Sequence, residues 1–144
     1  MSKKASAKPR HWLVKSEPDT YSWTDFTREG ETAWTGVRNY AARNNLSAMQ
    51  PGDQVLFYES MTTRAVVGTA TVVKAAFPDA TADEPGWVAT QLRAGTALRR
   101  PVTLDDVKAD PALAGMVLLR QSRLSVQPVA PAEFARIVKL GGTT

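Results

Sequence analysis

The chain has 144 residues, enough for one domain, and its 43% hydrophobic and 22% charged residues are ordinary for a soluble globular protein. It has no cysteine, which excludes disulfides, thiolate metal sites and cysteine nucleophiles, and its one histidine, His11, argues against a Ser-His-Asp triad. The net charge is +4, but four of the 18 basic residues lie within residues 1–10, so residues 11–144 sum to zero. Attraction to phosphate must therefore come from a local cluster or from the tail.

The two ends of the chain are expected to lie outside the domain. Residues 1–10 are predicted to form a disordered basic tail because they cannot bury apolar surface. The domain is expected over residues 11–141, followed by a short tail over 142–144. No apolar run approaches the roughly 18 residues of a membrane span, and no apolar segment follows the first lysines as in a secretory signal. We expect a cytoplasmic monomer with no membrane partner.

The first half of the chain alternates strand and helix patterns. In order, the sequence predicts a strand over 12–14, helices over 23–29 and 40–49, and strands over 54–60 and 65–77. The helices are predicted from their caps, since Ser22 with Asp25 resembles a capping box and Asn39 is a suitable N-cap. Gly68 is a candidate bulge in the long strand.

The second half continues without a βαβ alternation. It predicts a weaker strand over 87–98, a short helix from 104, an apolar core run over 116–119, a strand over 124–128 and a helix from 131. Pro128 indicates that the last strand lies on a sheet edge. This mixture predicts an α+β fold with a small curved sheet or barrel and peripheral helices.

The segment before the second helix is the leading candidate for a site. Trp34, Arg38 and Asn39 are expected on the loop at the helix N-terminus, where backbone N–H groups are free. A flat aromatic, an amide and a guanidinium beside such donors can hold a nucleobase and a nearby phosphate. In the alternative interpretation, Trp34 packs in the core and the arginines are solvated.

Two further polar clusters suggest contacts with nucleic acid. Lys15, Ser16 and Glu17 end the first strand, where the lysine can meet a phosphate and the other two can bind base edges. A surface Lys-Glu pair of little energetic value is the alternative. Arg120 and Arg123 follow the apolar run and either contact a sugar-phosphate backbone or belong to a solvated turn.

Other motifs narrow the choice of chemistry. Tyr58 and Trp87 fit either the walls of an aromatic cage or ordinary core positions. The phosphate loops G-x-x-x-x-G-K-[ST] and G-x-G-x-x-G are both absent, which disfavours nucleoside triphosphate chemistry and a dinucleotide fold. We expect no cofactor, no metal and no catalytic residue.

Several stretches are long and unusual in composition. They read WLVKSEP over 12–18, WTGVRNYAARN over 34–44, GD with VLFY over 52–58, PD over 78–79 and MVLLRQSRLSVQP over 116–128. Together they resemble the EVE domain family, and the resemblance runs from residue 11 to about residue 140.

The resemblance implies a fold and a class of ligand. EVE domains have a PUA-like fold, a small curved β-barrel with flanking short helices, and are related to YTH and ASCH domains. They are thought to bind modified bases in DNA or RNA, notably modified cytosines, in a pocket with aromatic walls. The expected partner is a nucleic acid carrying a modified base, or a modified nucleoside.

The resemblance also assigns candidate residues. Trp34 resembles the cage tryptophan, and Lys15 with Ser16 resembles a strand-end contact of YTH domains. The full set of expected ligand-binding residues is Lys15, Ser16, Glu17, Trp34, Asn39 and Tyr58. The expected contacts to the nucleic-acid backbone, or supports of the pocket, are Arg38, Arg43, Arg120 and Arg123.

The sequence departs from the family pattern at two places. The loop over 77–87 is shorter than the aspartate- and tyrosine-rich loop typical of the family, so contacts from that side are in question. Leu92 falls near the position of a second cage tryptophan in YTH domains. Tyr58 or Phe57 are then the candidates for the second wall.

The leading hypothesis is non-catalytic binding of a modified base that leaves its strand and stacks on an indole open at the mouth of a cleft. The rival is a small amidohydrolase of ASCH type acting on an acylated nucleoside, with Lys15 and either Glu17 or Glu59 as its charged pair. A protein-interaction module with an unused cleft is the third option.

Overall fold

The computed structural model describes residues 9–142. Most of the predicted basic tail, residues 1–8, and residues 143–144 lie outside this range. The strands are β1 His11–Ser16, β2 Glu31–Ala33, β3 Gln54–Glu59, β4 Ala65–Pro78, β5 Val88–Thr103 and β6 Val126–Val129. The helices are α1 Trp23–Glu29, α2 Tyr40–Ala48, α3 Leu104–Ala109, α4 Val117–Arg120 and α5 Pro131–Gly141, with a 3₁₀ turn at Pro111–Leu113.

The strands form one mixed sheet in the order β2-β5-β4-β3-β1-β6. The β3-β4-β5 pairs are antiparallel, whereas β1 lies parallel to β3, with Trp12 opposite Val55 and Ser16 opposite Glu59. The α+β class is therefore confirmed. The pairings leave β2 and β6 at the two ends of the sheet, so they do not close it into the expected barrel.

The alternation of side chains along the strands divides the core in two. On β1, Trp12 and Val14 belong to a cluster that also contains Trp34 and Phe57. Leu13 points to the opposite face and packs in a second cluster with α5. Period-2 alternation explains this division, because neighbouring residues of a strand point to opposite faces.

The predicted helix caps are confirmed. The Ser22 hydroxyl accepts from the Asp25 N–H at 3.0 Å while the Asp25 carboxylate accepts from the Ser22 N–H, so both capping-box hydrogen bonds form. The Asn39 side chain accepts from the Ala42 N–H at 2.9 Å and begins α2. These local bonds satisfy orphan N–H groups, which is why the sequence alone predicts them.

Gly68 marks an irregularity in β4, as predicted. The register shifts on both sides of Gly68 in the pairing with β5, and a Cβ there would lie 2.4 Å from the Trp23 ring. Glycine is therefore needed because α1 packs its indole directly on the strand backbone.

The main differences from the prediction are the length of β5 and the presence of β2. The predicted pattern ended β5 at residue 98, but the strand continues to Thr103. The short strand β2 was not predicted, because three residues carry too little periodicity. The apolar run over 116–119 packs in the core as predicted, with Met116 and Leu118 buried, and most of it forms the helix α4. Within residues 9–142, no helix is long and apolar enough to cross a membrane.

Candidate functional site

A hollow of about 460 Å³ opens beside the end of β1. It is bounded by the β1 end, the turn that follows it, β2 and the loop that leads to α2, with one residue from the segment before β6. The lining residues are Lys15, Ser16, Glu17, Thr20, Tyr21, Thr32, Ala33, Trp34, Thr35, Gly36, Val37, Arg38 and Ser125. The volume lies within the range of about 300–1,000 Å³ typical of small-molecule sites.

Trp34 belongs both to the hollow and to the core. Only 8% of the residue is exposed, so the open indole plate expected from the sequence is wrong, although Trp34 is one of the residues that line the hollow. The rings of Tyr21, Phe26 and Phe57 meet it at angles of 65–87° with centroids 5.7–6.4 Å away. None of them stacks parallel on the indole; all three make edge-type contacts.

Tyr21 is the second aromatic residue of the hollow, and the sequence analysis missed it. Its hydroxyl donates to Oε1 of Glu29, the last residue of α1, at 2.6 Å. Burial, followed by the hydrogen bond to Glu29, raises the pKa of Tyr21 to about 12, so the phenol stays protonated at physiological pH. Tyr21 directly precedes the capping box of α1, and this position was the one sequence feature that could have drawn attention to it. The proposed second walls, Tyr58 and Phe57, do not line the hollow.

Ser16 and Glu17 reach the hollow from the end of β1. The Ser16 hydroxyl donates to the Tyr21 carbonyl at 2.5 Å, which leaves its oxygen lone pairs for another donor. The Glu17 carbonyl accepts from the N–H groups of Thr20 and Tyr21 at 2.9 and 2.8 Å. These bonds form a tight turn after β1 that carries Tyr21 over the hollow.

Lys15 binds the segment that precedes β6. Its N–H donates to the Ser125 carbonyl at 2.9 Å, its Nζ donates to the Ser122 carbonyl, and Nζ lies 5.8 Å from the Tyr58 ring centroid. Burial lowers the pKa of Lys15. Within residues 9–142, Lys15 forms no ion pair with Glu17 or Glu59, so the charged pair of the amidohydrolase hypothesis is not assembled.

Arg38 and Asp79 clasp the loop over 34–38 to the segment after β4. Arg38 Nη1 lies 3.0 Å from Asp79 Oδ2, which also accepts from the Gly36 N–H at 2.8 Å. Asp79 Oδ1 accepts from the N–H and hydroxyl of Thr81. Burial acts to raise the pKa of Asp79, but the hydrogen bonds from Thr81, Gly36 and Arg38 outweigh it and hold that pKa well below its ordinary value.

Several predicted site residues lie elsewhere. Tyr58 is 4% exposed and packs on the opposite face of the sheet, because side chains alternate along β3 and its neighbour Phe57 faces the Trp34 cluster. Asn39 caps α2 and, with Arg123, lines a separate hollow of about 290 Å³. Arg120 is exposed at the end of α4 and lines neither hollow. Arg43 packs against the Tyr40 ring outside the main hollow.

The hollow is chemically mixed. Thr20, Thr32, Thr35 and Ser125 line it together with Ser16, Tyr21 and Trp34, and none of these threonines was predicted. Their signal was weak because isolated threonines in loops and short strands are common. No group of three His, Asp or Glu side chains within residues 9–142 is placed to hold a metal ion. The arrangement suits a planar ligand with polar edges.

Comparison with known proteins decides the family. The EVE domain model matches residues 10–140, nearly the whole described chain. The chain belongs to the EVE domain family. Thymocyte nuclear protein 1 from Homo sapiens is 32% identical over an alignment 164 positions long, which covers 90% of this chain and 73% of that protein.

Solved structures agree with this EVE domain. The crystal structure of protein Atu2648 from Agrobacterium tumefaciens is 43% identical with a TM-score of 0.90, and the alignment covers 92% of this chain and 93% of that one. Human THYN1 protein in complex with 5-methylcytosine containing DNA is 30% identical with a TM-score of 0.87, covering 94% and 99% of the two chains. An ASCH protein from Zymomonas mobilis, at 13% identity and a TM-score of 0.60, shares the fold alone.

Proposed function

We propose that this EVE domain binds a modified nucleobase, carried by DNA or RNA, in the hollow lined by Trp34. The observation that carries the proposal is that the aromatic residues Trp34 and Tyr21, five serine and threonine residues and Arg38 all line one space of about 460 Å³. A base needs an aromatic surface for its ring, polar groups for its edge and positive charge for its phosphate.

A relative supports the choice of base. The human THYN1 structure contains DNA with 5-methylcytosine, and this chain aligns with 99% of that chain. We therefore propose 5-methylcytosine as the first base to test. Because the hollow is recessed, the base must leave its strand to enter, which costs least when it is unpaired.

The proposed contacts follow from the groups that remain free. The Ser16 hydroxyl already donates to Tyr21, so it can accept from the exocyclic amino group of a cytosine. Stacking on an aromatic side chain contributes about 1–3 kcal/mol per base. A methyl group adds about 0.8 kcal/mol when it is buried. Preference for the methylated base is therefore expected to be a few-fold unless the pocket encloses the methyl closely.

The test compares two variants of the same core. Trp34→Ala removes the indole of a residue that lines the hollow. Leu92→Ala removes a fully buried side chain of the same cluster that does not line the hollow. Both truncations are expected to destabilise the fold by several kcal/mol, about 2–5 for leucine and 3–5 for tryptophan. Binding is measured by fluorescence anisotropy on an oligonucleotide with one 5-methylcytosine, at a temperature where both variants are folded.

Trp34→Ala is expected to bind at least tenfold more weakly than wild type, and Leu92→Ala within about twofold of it. Equal losses in the two variants would mean that the indole acts through the core and not through the ligand. Unchanged binding by Trp34→Ala would remove the hollow from the site.

Hydrolysis of an acylated nucleoside is the second candidate. Lys15 and Glu17 both line the hollow and burial lowers the pKa of Lys15, but Lys15 Nζ donates to the Ser122 carbonyl and the two side chains form no ion pair within residues 9–142. Incubation of the protein with N4-acetylcytidine tests it, with release of cytidine followed by chromatography. Release by wild type that is lost in Lys15→Met would support hydrolysis, and no release by wild type would contradict it.

A further inference from the structure

A second aromatic surface lies outside the hollow. The rings of Tyr40 and Trp87 stack with their centroids 5.1 Å apart and their planes 16° from parallel. Tyr40 is 67% exposed, and it is one of two large hydrophobic residues that protrude to this extent within residues 9–142. A stacked aromatic pair with one ring largely exposed is unusual on a protein surface, since aromatic rings usually bury most of their area.

Two guanidinium groups flank this pair. Arg43 lies 5.0 Å from the Tyr40 centroid and 5.8 Å from the Trp87 centroid. Together with the 5.1 Å between the rings, these distances form a nearly equilateral triangle, so Arg43 lies beside the stack. The outer face of Tyr40, away from Trp87, is therefore not covered by Arg43. Arg38 lies 5.8 Å from Trp87.

The pair is held in a fixed position relative to the hollow. The Asp79 N–H donates to the Trp87 carbonyl at 2.9 Å, and the carboxylate of Asp79 binds Arg38 and the Gly36 N–H. Arg38 thus lines the hollow and contacts Trp87 at once. Tyr40 is the first residue of α2, directly after the Asn39 cap. The contacts of Asp79 and Arg38 therefore connect the Tyr40–Trp87 pair to the loop that lines the hollow.

The positive charge beside the exposed ring of Tyr40, here called the platform, favours a polyanionic ligand. Arg43 forms no ion pair within residues 9–142, and its guanidinium donates only to the Asn44 side chain. A free guanidinium next to an open aromatic face is the combination used to bind single-stranded nucleic acid, where a base stacks and its phosphate meets the cation.

We propose that the outer face of Tyr40 stacks an unpaired nucleobase that neighbours the modified base in the hollow, with Arg43 at its phosphate. This inference rests on the proposed function, because it places the strand that leads into the hollow. It makes the ligand a single-stranded or locally opened segment of at least two nucleotides. A free modified nucleoside would use the hollow alone.

The experiment removes the platform from either partner. On the protein, Tyr40→Ala deletes the exposed ring, and Tyr40→Phe is the matched control that keeps the ring. The probes are single-stranded oligonucleotides with one 5-methylcytosine, either intact or with an abasic site directly 5′ or 3′ of it, and 5-methylcytidine alone. Affinities are measured by titration calorimetry, with folding checked by thermal unfolding.

On the intact oligonucleotide, Tyr40→Ala is expected to bind about 5- to 100-fold more weakly than wild type and Tyr40→Phe nearly as wild type. The difference should vanish on the oligonucleotide whose abasic site replaces the stacked neighbour, and on 5-methylcytidine. Equal affinity of Tyr40→Ala and wild type for the intact oligonucleotide, or the same loss on both abasic probes, would overturn the inference. If wild type bound none of the probes, the proposed function itself would be contradicted.

Discussion

At the residue scale, Asn39 carried two predictions that differ in kind. The sequence predicted it both as the N-cap of α2 and as a ligand contact. The structure confirms the cap, with Oδ1 accepting from the Ala42 N–H at 2.9 Å, and places the residue outside the main hollow. Its conformation is therefore explained by the helix alone.

Substitution of Asn39 separates the two roles. Asn39→Ala is expected to lower the free energy of unfolding by about 1 kcal/mol, because the Ala42 N–H loses its partner, while Asn39→Ser keeps a cap and costs less. Neither variant should weaken 5-methylcytosine binding more than about twofold. The measurements are urea unfolding and oligonucleotide anisotropy. A tenfold loss of affinity in the stable Asn39→Ser variant would return Asn39 to the binding site.

Trp34 marks the limit of residue-scale prediction. Its place in the hollow follows from the family motif, but its burial depends on Tyr21 and Phe26 in and before α1 and on Phe57 in β3, which are distant in sequence. No local pattern gives the degree of exposure of a side chain whose neighbours are distant in sequence. Tyr21 was missed for the same reason.

At the scale of elements, the short loop after β4 has a defined task. The loop over 77–87 is shorter than the family pattern, which put ligand contacts from that side in question. In the structure Asp79 instead binds Gly36, Arg38 and Thr81, so the loop fixes the segment that carries Trp34. The loop therefore acts on the hollow through that segment.

The clasp has a pH dependence of known sign. Because the pKa of Asp79 is lowered in the folded protein, the unfolded chain takes up the proton first as the pH falls. Its contribution is therefore complete at pH 7 and is lost as the pH falls below about 4. Asp79→Asn should cost about 1–3 kcal/mol at pH 7, since donors to the carboxylate lose part of their partner.

Urea unfolding of wild type and Asp79→Asn between pH 7 and pH 3 measures this effect. The difference in stability should stay constant from pH 7 to about pH 5 and shrink below about pH 4. A difference that grew on acidification would show that the clasp does not stabilise the ionised carboxylate.

The elements themselves were largely predictable, whereas their assembly was not. Capping boxes at Ser22 and Thr103 and the cap at Asn39 are local signals, and the helices begin where those signals place them. The six-stranded order and the open sheet depend on pairings between segments far apart in sequence. The hollow combines four separate segments, so the prediction that brought Ser16 and Trp34 together came from the resemblance to the family and not from periodicity.

At the scale of the whole molecule, the charge distribution determines how nucleic acid is attracted. Residues 11–144 have no net charge, so phosphate contacts depend on local arginines and on the basic residues near the N-terminus. Cytoplasmic location and a monomeric state stay predictions, and sedimentation of the purified protein would measure the latter.

Deletion of residues 1–9 tests the part played by the tail. It removes Lys3, Lys4 and Lys8, so the slope of log affinity against log salt should fall by about 2 on single-stranded probes. The ratio of affinities for methylated and unmethylated cytosine should not change, because the hollow is intact. Salt-independent binding by the full chain would contradict a phosphate contribution, and loss of the base preference would place recognition in the tail.

The central claim is that the base enters the hollow beside Trp34. Backbone amide shifts in a titration with an oligonucleotide carrying one 5-methylcytosine test it most directly. The largest shifts are expected at Ser16, Thr32, Thr35 and Gly36, with the Trp34 indole N–H among them. Shifts confined to residues away from this hollow, such as 121–124 and the helix α5, would contradict the account.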